Sequence, residues 1–210
     1  MRLTLFAATG GVGRQLLRQA VAAGHDVTAV VRDPNAFRGE VRTVRTDLLS
    51  ADADVLREAV DGADAVLSGL GPRSRSEVGI VSAGTRRIVD AMLATTARRL
   101  VIISVAGIGL PPGGPRSLRE RLLSGVAVAV MRKHYADVAA METMLRTTCL
   151  DWTSVGVPLL SDDPPTGTYR TAVGRRLPKA YRLSRADAAH CMLATLDQPE
   201  TVRRTIAVAY

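Results

Sequence analysis

Short aliphatic runs alternate with Ala-rich amphipathic stretches along the whole of this 210-residue chain. The aliphatic runs predict β-strands at 2–8, 26–32, 41–47, 63–70, 98–105, 151–158 and 203–209. The amphipathic stretches predict α-helices at 11–24, 52–62, 78–95, 117–148 (interrupted near 132–134) and 184–199, the last capped by Ser184. Parallel strands need crossover connections, and crossovers are right-handed. This order therefore predicts a parallel sheet with helices on both faces.

The composition agrees with a single α/β domain. The chain is 47% hydrophobic but only 3% aromatic, so its core is expected to consist of Val, Leu, Ile and Ala. We predict one doubly wound domain over residues 1–210, a three-layer α/β/α Rossmann fold. Gly and Pro residues predict a loop at 106–117, and the part from 106 to 183 is expected to shape a substrate pocket.

Cysteine usage and hydropathy exclude several other classes of protein. Cys149 and Cys191 lie far apart and in no metal-ligand spacing, so neither a disulfide framework nor a metal site is expected. The N-terminal residues do not resemble a signal peptide. The most apolar segment, 122–131, is shorter than the ~18 residues that a membrane span requires. We expect a cytoplasmic protein with no membrane contact.

The net charge of +8 raises the question of nucleic-acid binding. The arginines are scattered, however, and occur at most in pairs without aromatic residues between them to stack on bases. We therefore expect no nucleic-acid partner. Attraction of a small anionic molecule is the simpler use of this charge.

The first predicted strand runs directly into a glycine cluster that opens the first predicted helix. Gly10, Gly11 and Gly13 leave the helix N-terminus free of side chains, and its unpaired N–H groups favour an anion such as a pyrophosphate. The spacing is A-x-x-G-x-x-G, with Ala7 where a dinucleotide-binding fingerprint has its first glycine. The Ala7 methyl is harmless if its backbone is extended with negative φ. A tight turn without a ligand is the alternative, but the strand–turn–helix context favours a dinucleotide.

The end of the second predicted strand distinguishes between the two nicotinamide dinucleotides. NAD-binding proteins place an acidic residue there, whereas this chain has Arg32, whose planar fork of donors suits the 2′-phosphate of NADP. Asp33 is the alternative ribose ligand, but Pro34 after it is typical of a turn. We predict NADP(H), with Arg14 and Arg38 as candidate assisting residues.

The opening segment FAATGGVGRQLLRQAVAAGHDVTAVVRDP resembles the atypical short-chain dehydrogenase/reductases with an NmrA-like NAD(P)-binding domain. Within them, the chain is most similar to the flavin reductase (biliverdin reductase B) group. The resemblance extends over nearly the whole chain and includes TDLLSADAD, GADAVLSGLG, SAGTRRIVDAM and LSRADAAHCML. The segment PPTGTYR is its most specific part, because no general rule of the fold requires it.

This resemblance implies a set of cofactor-binding residues. The pyrophosphate would be held by Thr9, Gly10, Gly11, Val12 and Gly13, and the 2′-phosphate by Arg32. The adenine would contact Asp47 and Leu48, and the ribose and phosphates would lie beside Leu70, Gly71 and Arg73. The nicotinamide would lie at Ser104, Pro158 and Leu159. Ser104 is also the candidate catalytic residue, either orienting the nicotinamide amide or donating to a substrate.

The chain also departs from this family in ways that bear on its chemistry. The Tyr-x-x-x-Lys pair of short-chain dehydrogenases is absent, since Tyr135 is followed four residues later by Ala139. Leu159 stands where the flavin reductases have a histidine after the proline. No strong general acid is left for ketone reduction. A planar acceptor such as a flavin or quinone delocalises charge and needs mainly positioning, so we predict an NADPH-dependent reductase of such an acceptor.

Two other functions remain open: a non-catalytic NADP(H)-sensing NmrA-like regulator, and an epimerase or dehydratase acting on a sugar nucleotide. The oligomeric state is expected to be monomer or dimer. His134 and Tyr135 are candidate pocket residues, although a surface position at a helix start is the more common role. Asp162 and Asp163 form a carboxylate pair, but their surroundings, SDDPPTG, favour a turn.

Overall fold

Strands and helices alternate in the computed structural model, which describes residues 1–33, 41–72, 74, 76–108, 110 and 131–210. Within these residues lie ten strands: β1 (Arg2–Phe6), β2 (Asp26–Val31), β3 (Arg42–Arg45), β4 (Ala65–Ser68), β5 (Arg99–Val105), β6 (Asp151–Val157), β7 (Leu159–Ser161), β8 (Arg170–Val173), β9 (Arg182–Ser184) and β10 (Arg204–Ala209). The same residues form five α-helices: α1 (Gly11–Ala22), α2 (Ala53–Val60), α3 (Ile80–Leu93), α4 (Arg132–Arg146) and α5 (Arg185–Ala194). Most of the predicted 106–117 loop and the 117–130 part of the predicted long helix lie outside the described residues.

The central sheet has eight strands in the order β3-β2-β1-β4-β5-β6-β10-β8. Its neighbours pair in parallel, except that β10 and β8 are antiparallel. The chain runs outward from β1 to β3 and then returns to β4 on the other side of β1. This reversal confirms the predicted doubly wound fold and creates a switch point between β1 and β4.

Three short strands, absent from the predicted set, correct the prediction of a purely parallel sheet. Strands β7 and β9 form a separate two-stranded parallel sheet, and β8 adds an antiparallel edge to the main sheet. Each has only three or four residues, and β7 and β8 are mostly not buried, so no apolar pattern marks these strands in the sequence. Strand β8 is determined by pairing with β10, and β7 and β9 are determined by pairing with each other.

Two apolar layers cover the sheet, one on each face. The first packs α1 and α5 on the sheet, with Leu16 and Met192 fully buried. The second packs α2, α3 and α4 on the opposite face, with Ile88 and Leu145 fully buried. Aliphatic residues dominate both layers, as the composition predicts. In the described part of the chain, no helix is long and apolar enough to cross a membrane.

Candidate functional site

The predicted site residues follow the carboxyl ends of neighbouring parallel strands, which lie at one edge of the sheet. Thr9 to Gly13 follow β1, Arg32 follows β2, Asp47 and Leu48 follow β3, Leu70 and Gly71 follow β4, Ser104 lies near the end of β5, and Pro158 and Leu159 follow β6. Arg73 and Arg38 lie outside the described residues. The structure thus brings the described members of the predicted set to one edge.

The glycine cluster is required by close backbone packing. A Cβ built on Gly13 would lie 2.0 Å from the carbonyl oxygen of Ala7, and one on Gly69 would lie 3.0 Å from the Gly13 nitrogen. Helix α1 begins at Gly11, after Gly10 in an extended conformation (φ −74°, ψ 172°). Among the described residues, no side chain caps this helix, and its first turn holds no acidic residue. Its first N–H groups therefore form a backbone cradle that fits a pyrophosphate.

Ala7 does not have the extended backbone with negative φ that would make its methyl group harmless. Its φ is +56°, in the left-handed region that favours glycine. Its carbonyl oxygen accepts a hydrogen bond from the Gly10 N–H at 2.9 Å, which closes the turn between β1 and α1. The turn imposes this φ value, so alanine in this position is strained.

Arg32 and Asp47 lie beside each other at the ends of adjacent strands. The Arg32 Nη1 is 4.0 Å from the Asp47 Oδ2, and both side chains are about half exposed. The other Asp47 oxygen accepts a hydrogen bond from the Leu49 N–H at 2.9 Å, which orients the carboxylate. The pair leaves the planar guanidinium accessible to a ligand at the end of β2.

Leu48 and Leu70, the predicted adenine and ribose neighbours, meet at Gly84 in helix α3. A Cβ on Gly84 would lie 2.5 Å from the Cδ2 of Leu70 and 3.0 Å from the Cδ2 of Leu48. The missing side chain at Gly84 thus lets both leucines pack against the helix. Sequence reasoning missed Gly84, although an isolated glycine inside a helical pattern is a known sign of close approach.

The Ser104 hydroxyl is engaged with a buried carboxylate. It donates to the Glu142 Oε1 at 2.9 Å, and Ser104 is only 4% exposed. Glu142 is fully buried and also accepts from the hydroxyls of Ser154 and Thr205, with Arg146 at 3.3 Å from its Oε2. A hydroxyl has one proton to donate, so Ser104 can offer a ligand only its lone pairs. The catalytic role of Ser104 stays a prediction.

The segment after β7 is held to the start of helix α5 by Asp187. The fully buried Asp187 carboxylate accepts from the backbone N–H groups of Thr166 and Gly167 and from the Tyr210 hydroxyl at 2.6 Å. Burial by itself raises the pKa of Asp187, but these hydrogen bonds outweigh it and lower the pKa to about 2. Ser184 caps α5 as predicted, accepting from the Asp187 N–H at 2.9 Å.

The two neighbouring aspartates do not act as a pair. Asp163 accepts from the Ser161 hydroxyl at 2.6 Å and lies 3.3 Å from Arg182. Asp162 instead pairs with Arg185, whose Nη1 is 2.8 Å from its Oδ1. Both carboxylates are thus engaged in separate ion pairs, and residues 162–166 do not form the predicted turn. No cluster of three or more metal-ligating side chains is found in the ranges that the structure describes.

A glycine-lined helix start at the switch point of a parallel sheet defines a dinucleotide-binding α/β protein. The chain belongs to the NAD(P)H-binding family, whose sequence profile matches residues 7–199. Over 125 residues it is 30% identical to the 3-diazoavenalumate denitrifying reductase of a Streptomyces species. That match spans 55% of this chain and 41% of the reductase, so the chain covers less than half of that relative's length.

Solved structures share the whole fold. A proposed NADH-flavin reductase from Streptococcus pneumoniae is 22% identical, with a TM-score of 0.79 over 100% of this chain and 99% of that one. A short-chain dehydrogenase/reductase from Veillonella parvula, solved with NADP, is 19% identical, with a TM-score of 0.79 over 100% and 94%. At these identities the two structures establish the fold alone. They confirm the predicted Rossmann fold, and the family match confirms the predicted NAD(P)H cofactor.

Proposed function

We propose that this protein is an NADPH-dependent reductase that transfers hydride to a planar acceptor such as a flavin or quinone. The fold is that of NAD(P)H-binding oxidoreductases, and the finer assignment rests on one observation. The Ser104 hydroxyl, the predicted polar group at the nicotinamide, already donates a hydrogen bond to Glu142. A serine whose hydroxyl proton is already engaged suits an acceptor that delocalises the incoming charge and takes its proton from water.

The cofactor would be held mainly by the backbone and by two charged side chains. The residues from Thr9 to Gly13 would bind the pyrophosphate through N–H groups, and Arg32 the 2′-phosphate through its guanidinium. Asp47 and Leu48 would contact the adenine, while Leu70, Gly71 and Arg73 would line the ribose side. NADPH supplies the hydride when it is bound.

At the other end of the site, the chain would position the reacting groups and exclude water. Ser104 would accept a hydrogen bond from the nicotinamide amide, because its own O–H already donates to Glu142. Pro158 and Leu159 would flank the nicotinamide. Leu159 is 75% exposed, and such an apolar side chain at this edge supports contact with a planar, conjugated acceptor. One domain over residues 1–210, with 106–183 shaping the pocket, and a cytoplasmic location remain part of this proposal.

A regulator that binds NADP(H) without turnover is the second candidate. The same hydrogen bond from Ser104 to Glu142 is compatible with it, because a regulator binds the cofactor without having to protonate a substrate. In that case the partner would be another macromolecule rather than a small acceptor. The epimerase or dehydratase alternative has less support, since Tyr135 has no lysine four residues later.

The deciding experiment is NADPH oxidation by the purified protein, followed at 340 nm with FMN and, separately, with menadione as acceptor, and with NADH as the matched cofactor. We expect protein-dependent oxidation that prefers NADPH at least about tenfold, the advantage of a charge-assisted contact. NADPH binding without turnover on either acceptor would overturn the reductase proposal in favour of the regulator. Turnover that prefers NADH would contradict the role of Arg32.

A further inference from the structure

We propose that Arg185 is a pyrophosphate-binding residue of the NAD(P)H site, and that Asp162 competes with the cofactor for it. Neither residue is in the set predicted from the sequence, and Arg185 lies far along the chain from the glycine cluster. The role of Arg185 in holding the cofactor does not depend on which acceptor, if any, is reduced.

Arg185 lies directly against the first residue of helix α1. A Cβ built on Gly11 would be 2.6 Å from the Arg185 Nε and 2.7 Å from its Cδ. Any side chain in place of Gly11 would therefore displace the arginine. Gly11 thus has a second function besides clearing the helix N-terminus, because it makes room for a cation beside the N–H groups of the cradle.

The charges at this point call for an anion. A helix N-terminus carries about half a positive charge, and the Arg185 guanidinium adds a full one next to it. The first turn of α1 contains no acidic residue to balance them. Asp162 provides an opposite charge at 2.8 Å, but its side chain is 89% exposed, and exposed ion pairs contribute little. A pyrophosphate on the cradle would contact both the helix N-terminus and the arginine fork.

The fold fixes the backbone of Arg185 and leaves only its side chain to change partner. Arg185 is the first residue of α5, and the buried Ser184 before it caps this helix. The Gln19 side chain donates to the Ala186 carbonyl at 2.8 Å, which ties α5 to α1. The guanidinium is therefore presented to the cradle by two helices whose relative position is set by buried contacts.

Exchange of Asp162 for a pyrophosphate would not require the segment around it to unfold. Asp187 separately anchors this segment through Thr166 and Gly167. Only the exposed ion pair between Asp162 and Arg185 would break. The aspartate is thus a weak competitor, and its removal should strengthen cofactor binding.

The test is a fluorescence titration with NADPH and with NADH of the wild-type protein, Arg185→Gln, Asp162→Asn and the double variant. Both cofactors contain the pyrophosphate, so we expect Arg185→Gln to raise both Kd values about tenfold, the loss of a charge-assisted contact. Asp162→Asn should lower both Kd values a few-fold, and should have no effect once Arg185 is glutamine. Arg182→Gln, which removes the neighbouring ion pair with Asp163, is the matched control and should leave both Kd values unchanged.

Thermal unfolding without cofactor checks that each variant is folded. If Arg185→Gln does not fold, Arg185→Lys replaces it in the titration, and a smaller loss of affinity is expected. Unchanged Kd values, a loss confined to NADPH, or weaker binding in Asp162→Asn would overturn the proposal. These titrations measure cofactor binding alone. The proposed reductase function is decided separately, by turnover in the wild-type protein.

Discussion

The carbonyl oxygen of Ala7 lies 2.0 Å from the point where a side chain on Gly13 would begin, and Ala7 itself has φ +56°. The first helix therefore packs so closely on the turn after β1 that residue 13 must be glycine. Residue 7 is alanine, but it has a backbone conformation that glycine would adopt more easily. The substitution of alanine in the first glycine slot is thus a local source of strain at the cofactor site.

Ala7→Gly should stabilise the protein. The left-handed backbone costs alanine roughly 1–2 kcal/mol, and the larger entropy of glycine in the unfolded chain offsets part of this gain. We expect the free energy of unfolding in urea to rise by about 0.5–1 kcal/mol. Ala23→Gly is the control, because Ala23 has φ −81° and should gain nothing. A decrease with Ala7→Gly would show that the turn is not strained.

Arg32→Gln should remove the preference for NADPH. The guanidinium follows β2 beside Asp47 and is about half exposed, so it can reach a 2′-phosphate that NADH lacks. We expect the Kd for NADPH to rise roughly 10- to 100-fold, with little change for NADH. Arg42→Gln, at the opposite end of the neighbouring strand, removes the same charge and should change neither Kd. Equal losses for the two cofactors would indicate that Arg32 does not distinguish them.

Gly84→Ala should weaken cofactor binding without unfolding the protein. The added methyl would lie 2.5 Å from the Leu70 side chain and 3.0 Å from that of Leu48, so both leucines must move. Because these contacts are the ends of flexible side chains and alanine favours a helix by about 1 kcal/mol, stability should be nearly unchanged. The expected result is a several-fold higher Kd for NADPH with an unchanged Tm. Unchanged affinity would place the adenine away from these leucines.

Asp187 should make stability depend on acid pH. Its pKa is lowered from 3.8 to about 2 in the folded protein, so its stabilising contribution is complete above about pH 5 and is lost as the pH falls toward 2. That contribution is on the order of 2 kcal/mol. Asp187→Asn should lower the free energy of urea unfolding at pH 7 and flatten its decline between pH 5 and pH 3. Asp163→Asn, at an exposed carboxylate, should leave the profile as in the wild type.

Much of this protein was predictable from the amino-acid order alone. The alternation of strands and helices, the glycine-lined start of α1 and the arginine after β2 are local patterns, and right-handed crossovers turn them into a doubly wound sheet with its ligand edge at the strand ends. The predicted residues that the structure describes therefore lie at one edge of the sheet. The short strands β7, β8 and β9 were not predictable, because pairing with a strand distant in the chain determines each of them rather than its own pattern.

Only the tertiary structure determined which residues meet across that edge. Arg185 against Gly11, the two leucines at Gly84, and Glu142 with the Ser104 hydroxyl join positions that are distant in the chain and belong to different elements. Periodicity and spacing describe neighbours along a helix or strand, whereas these contacts depend on the packing of α1 on α5 and of α3 and α4 on the sheet. The sequence therefore determined the fold and the place of the site, and packing decided which charges and hydroxyls lie there.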